Sequence, residues 1–135
     1  MFERVDHLGI AVEELDDAVA CYRDSFGMDL LHREVLAEQG VEAALVGSGS
    51  ERVELLAALS PDSPVGRFLE RRGPGVHHVA YGVSDIDATL AELTRRQVEL
   101  IDSRARIGLH GSRVAFVHPR ATGGVLTEIV EAARA

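Results

Sequence analysis

The chain has 135 residues, 46% hydrophobic and 27% charged, a length and balance that give one globular domain with a real core and exclude a disordered or fibrous chain. Its formal net charge of −8 argues against nucleic acid as the main partner, and all its basic residues are arginine, so lysine chemistry is excluded outright. The one cysteine, Cys21, cannot close an intrachain disulfide and reads as a small apolar filler on a helix, which suits a reducing cytoplasm.

The opening "MFERVDHLGIAV" lacks a signal-peptide pattern, and no apolar run is long enough to span a membrane. Residues 5–12 read as a strand with Leu8, Ile10 and Val12 on one face and His7, Gly9 and Ala11 on the other. The large aliphatics are expected to pack under helices, and the small residues to leave room for a cleft into which His7 points. A helix follows, with Leu15, Val19, Tyr22 and Phe26 on one stripe and Gly27 as its stop. Three strand-like runs come next, at about 28–36, 41–47 and 51–58, with His32 read as an exposed loop or strand-end residue. The segment "SPDSPVGRFLERRGPG" (60–75) carries three of the four prolines and reads as a linker with a short helix at 64–72.

Residues 76–90, "VHHVAYGVSDIDATL", then repeat residues 5–19, "VDHLGIAVEELDDAV". Val5 falls on Val76, His7 on His78, Val12 on Val83, Leu15 on Ile86 and Asp16 on Asp87. Of the adjacent histidines, His78 therefore faces the cleft, while His77 matches Asp6 and reads as structural. Ile86, Leu90 and Leu93 mark a second helix, which Ser84 and Asp87 open in capping-box fashion. Strand-like runs at about 98–103, 112–118 and 124–131 complete the second half. The order is βαβββ, linker, βαβββ. It predicts an α+β domain over 1–135, with module one about 1–59, the linker about 60–75 and module two about 76–135. Its two modules form a pseudo-twofold, curled mixed sheet around a cleft.

The last strands repeat as well. "VELL" (53–56) resembles "TEIV" (127–130), which sets Glu54 opposite Glu128. Each half thus supplies one His and one Glu, on strands, at matched positions. His7, Glu54, His78 and Glu128 make a set of two imidazoles and two carboxylates, suited to Mn, Fe(II), Co, Ni or Zn. Residues 103–127 contain no Asp or Glu but do contain Arg104, Arg106, Arg113 and Arg120, so that a local anion site and a solvated loop are both open readings.

These residues resemble the vicinal oxygen chelate superfamily, whose paired βαβββ modules hold a metal with side chains from both. Within it the chain is most similar to the methylmalonyl-CoA epimerase family, through "SPVGRFLERRGPGVHH" (63–78) and "GSRVAFVHPRATGGVLTE" (111–128). The resemblance implies interconversion of the 2R and 2S epimers of methylmalonyl-CoA, or of the ethylmalonyl analogue, by proton transfer at C2. It also implies one divalent ion, Co2+ first, on His7, Glu54, His78 and Glu128, together with a homodimer. Glu128 becomes one base. The family's other base falls on Ala43 in an ungapped alignment, with Glu42 one residue earlier, so either a bulge or small deletion near Gly40–Val41 restores Glu42 to the cleft or another group serves. Arg104, Arg106, Arg113 and Arg120 become candidates for the phosphates of coenzyme A or the substrate carboxylate. A glyoxalase-like isomerase and a non-catalytic, antibiotic-sequestering binder of the same fold are the alternatives.

Overall fold

The computed structural model describes residues 1–48 and 50–133. Its contacts divide the chain into two compact units, His7–His77 and Met1–Asp6 with His78–Ala135. The N-terminal residues group with the second half: the Glu3 amide donates to the Gly82 carbonyl at 2.9 Å, and Phe2 stacks on Tyr81 with ring centroids 4.8 Å apart.

The first module runs β1 (Arg4–Ala11), α1 (Leu15–Phe26), β2 (Asp29–Leu36), β3 (Val41–Ser48) and β4 (Glu51–Ala58). Its strands lie in the order β2-β3-β4-β1, with β1 parallel to β4 and the other pairs antiparallel. The stripe on α1 places Leu15 and Val19 against Ala44, Val46 and Leu55, with Ile10, Val12 and Tyr22 packed around them. Gly27 ends the helix as expected: at φ 67 its amide turns back to the Arg23 carbonyl, a conformation with no penalty for glycine. Three expectations fail on this module's surface. Leu8 is exposed rather than packed under a helix, Phe26 at the end of the α1 stripe is exposed and meets Tyr22 edge-on, and Cys21 is exposed on α1.

The linker helix is α2 (Pro64–Arg72), the span read from the sequence. Ser63 caps it, its Oγ accepting from the Gly66 amide at 3.1 Å, and Pro64 occupies the first turn where no amide donor is needed.

The second module runs β5 (Gly75–Gly82), α3 (Ile86–Arg95), β6 (Arg106–Ile107), β7 (Arg113–Val117) and β8 (Thr127–Glu131), ordered β5-β8-β7-β6. Ile86, Leu90 and Leu93 pack on Ala115, Val117 and Ile129, as their spacing predicts. The helix start differs from expectation. Asp85, not Ser84, is the N-cap, its carboxylate accepting from the Ala88 amide at 3.0 Å. Nor is 98–103 a strand. Only Leu100 bridges to Val117, because the Asp102 carboxylate takes the Phe116 amide at 2.9 Å and so replaces a ladder bond with a side-chain one. The short β6 begins after this interruption. The fold class is the expected one: α+β, built of two βαβββ modules.

Candidate metal centre

Parallel pairing sets the site in the first module. Gly9 lies beside Glu54, and His7, two residues earlier on β1, shares that face. Both side chains are buried, with His7 Nε2 3.8 Å from Glu54 Oε1. The second module repeats this arrangement. Ala80 lies beside Glu128 on the parallel β5–β8 pair, and His78, two residues before Ala80, puts its Nε2 3.3 Å from Glu128 Oε1. Phe116, opposite Glu128 on β7, meets the His78 ring edge-on at a centroid distance of 5.7 Å and fixes its orientation.

The donor chemistry fits a divalent cation. Burying a carboxylate is costly unless a positive charge answers it, and each of these carboxylates is buried next to a neutral or protonatable imidazole. Two donors bound at about 2.0–2.2 Å to one ion lie roughly 3.0–3.5 Å apart, against which 3.3 Å is a match and 3.8 Å a slight opening. Buried His7, Glu54 and His78 are also a group of the residue types able to hold an ion. His77 faces the other way. Its ring stands edge-on to Phe68 at 5.0 Å, a packing role.

The structure places Glu42 away from this face. The β3–β4 register runs without interruption from Val41 opposite Ala58 to Ser48 opposite Glu51, so no bulge turns Glu42 over. Leu45, which pairs with Glu54, shares its side with Ala43, whereas Glu42 shares the α1 side with Ala44 and Val46. There Arg33 Nε donates to Glu42 Oε2 at 3.0 Å and Arg33 Nη1 to Asp16 Oδ1 at 2.6 Å. These two carboxylates, Glu42 first, hold the Arg33 guanidinium above its ordinary pKa.

What sequence reasoning missed lies on β2. The β2–β3 register shifts between Leu30 and His32, and beyond that shift His32 sits opposite Leu45 and Glu34 opposite Ala43. Both therefore share the His7–Glu54 face. His32 Nε2 lies 2.9 Å from Glu34 Oε1. His32 is thus a partly buried strand residue rather than an exposed strand end.

The acid-free stretch is answered by acids from elsewhere in its unit. Arg113 donates to both Asp87 oxygens, at 2.8 and 2.9 Å, and Arg120 to both Glu99 oxygens, at 2.6 and 3.2 Å. Hydrogen bonds from these guanidiniums hold the Asp87 and Glu99 carboxyls below the usual carboxylate range. Arg106 Nε lies 3.3 Å from Asp102. Arg104 lines an open cavity of about 400 Å³ with Asp87, Leu90, Thr94 and Ser103.

Residues 6–116 match the family model described as Glyoxalase/Bleomycin resistance protein/Dioxygenase superfamily. Over 130 residues the chain is 37% identical to the mitochondrial methylmalonyl-CoA epimerase of Mus musculus, covering 96% of this chain and 73% of that one. It is 34% identical over 131 residues to the ethylmalonyl-CoA/methylmalonyl-CoA epimerase of Cereibacter sphaeroides, with coverage of 96% and 98%. A solved structure of a methylmalonyl-CoA epimerase in complex with methylmalonyl-CoA and NH4+ matches at a TM-score of 0.95 and 40% identity, covering 98% of this chain and 96% of that one.

Proposed function

The chain belongs to the glyoxalase/bleomycin resistance protein/dioxygenase superfamily, and from that premise we propose that it is an epimerase interconverting the 2R and 2S forms of methylmalonyl-CoA, or of ethylmalonyl-CoA. The observation that carries the reading is the His/Glu pair built twice in one register, His7 with Glu54 and His78 with Glu128, in a chain similar along its length to epimerases.

His7, Glu54, His78 and Glu128 would together hold one divalent cation, Co2+ by resemblance, with Mn2+, Ni2+, Zn2+ or Fe2+ as other fits. When bound, such an ion stabilises negative charge developing on the thioester oxygen as the C2 proton leaves. Glu128 is the residue we assign to move a proton at C2. Its carboxylate is buried beside the His78 ring, which keeps bulk water from the proton it would move. Phe116 helps to keep water from the second pair. Of the four arginines, Arg104 lines the open cavity beside α3, and we assign it to the coenzyme phosphates; Arg106, Arg113 and Arg120 stand paired with Asp102, Asp87 and Glu99 and would contribute there by exchanging those partners. A homodimer, by family resemblance, and a cytoplasmic setting, by the single cysteine, complete the reading, and no helix among the described residues is long and apolar enough to cross a membrane.

The test is incubation of the cobalt-loaded protein with one epimer of methylmalonyl-CoA in D2O. Deuterium at C2 together with the opposite epimer is the expected result. Turnover of a methylglyoxal–thiol adduct without C2 exchange would replace the reading with a glyoxalase-like isomerase, and binding without turnover with a sequestering protein.

A further inference from the structure

We infer that Glu34, held by His32, is a second proton carrier of this site, facing C2 of the substrate from β2. The inference rests on the epimerase reading above and supplies what that reading lacks. Inverting a carbon through a planar enolate requires proton transfer on both faces, and one carboxylate serves one face.

The strands of the His7–His77 unit narrow the choice. On the side that carries His7 and Glu54, β3 presents Val41, Ala43, Leu45 and Gly47, none of which ionises. Besides the two ligands, the ionisable residues that the strands put on this side are Asp29, His32, Glu34 and Arg52. Arg52 holds its proton at any working pH, and Asp29 is exposed at the start of β2. Glu34 remains. Its side chain is 34% exposed and that of His32 29%, so the pair is neither fully solvated nor sealed off. The 2.9 Å contact between them fixes the carboxylate against the His32 ring. His32, Leu45 and Glu54 form one row across the sheet, which puts His32 about 10 Å from Glu54 between backbones, two strand spacings. In the next row only the methyl of Ala43 stands between Glu34 and β4.

In one direction the Glu34 carboxylate takes the C2 proton, the C–H electron pair passes into the enolate, and Glu128 returns a proton to the other face of C2. In the opposite direction the two exchange roles, and exchange with water resets both.

The experiment uses the full chain loaded with cobalt and a Glu34→Gln variant, with each epimer of methylmalonyl-CoA supplied separately in D2O. The expected result is inversion slowed by about 10²–10⁴-fold. Deuterium still enters one epimer without inversion, since a single remaining base can remove and return a proton on its own side. Bound metal per chain and melting temperature stay at parent values, and Glu34→Asp recovers part of the inversion. Inversion in Glu34→Gln within threefold of the parent overturns the role of Glu34 alone. Loss of metal in that variant also overturns it, because the residue would then support the ligands. No exchange of either epimer by the parent protein overturns the epimerase reading, and the role of Glu34 with it.

Discussion

Adjacent His77 and His78 allow a sharp separation of packing from cation binding. His78 is 2% exposed and shares the face of Glu128, whereas His77 points to the opposite side and meets Phe68. Replacing His77 by Ala removes an edge-on aromatic contact worth about 0.5–1.5 kcal/mol, which lowers the melting temperature by roughly 2–5 °C and leaves cation affinity within about twofold. Replacing His78 by Ala removes a donor. Since even residues that only orient a ligand are worth about 10–100-fold in affinity, the loss should exceed about 100-fold. Truncating an enclosed ring also costs about 3–5 kcal/mol, so His78→Gln, which keeps most of the volume, is the companion variant. The assay is metal content by mass spectrometry after equilibrium dialysis against buffered cobalt, normalised to folded protein by circular dichroism. Equal loss of metal in the His77 and His78 variants would refute the reasoning, because it would mean that strand parity does not decide which ring reaches the ion.

Glu42→Gln should epimerise at the parental rate, and its exposed pairing with Arg33 should contribute under about 1 kcal/mol to stability; both are read from progress curves and a urea melt. Glu128→Gln should slow C2 exchange by at least about 100-fold and weaken metal binding together, in the same dialysis and D2O assays. Chelation should abolish exchange and lower the melting temperature by about 10 °C, the equivalent of roughly 2.7 kcal/mol of linkage at a hundredfold excess over Kd. Asp87 should titrate by NMR below the usual aspartate midpoint, because the Arg113 guanidinium favours its charged form. A depressed folded-state pKa stabilises above the unfolded value and loses that contribution as pH falls through the folded one, so the effect of Arg113→Ala should vanish in strong acid.

The duplication made much of this legible. Because a strand alternates its faces, finding His7 and His78 at matching positions settled which histidine of each neighbourhood faces inward, and the repeated last strand located Glu54 and Glu128. Helices with a full apolar stripe and a glycine or Ser-Pro terminus, α1 and α2, emerge with the expected bounds or ends. Misreadings occur where a side chain displaces a backbone partner. Asp102 breaks the expected strand at 98–103, and Asp85 moves the start of α3 by one residue. The His32–Glu34 pair was hidden for a different reason. Counting by twos from Leu30 puts both on the helix side, and the register shift that turns them over has no signature in the residues themselves. The arginine partners lie distant in sequence, so the acid-free stretch overstated how much free positive charge that region offers.

The extra residue at Leu31 has a consequence for how such a protein changes over generations. The anchoring imidazole and carboxylate of the first module stand on β1 and β4, while Glu34 stands on the outermost strand of that module, downstream of a kink able to absorb small displacements. On the proposed roles, substitutions along β2 would retune the chemistry at carbon while the candidate cation ligands on β1 and β4 go undisturbed, and descendants would be free to acquire new substrates without first losing a metal site.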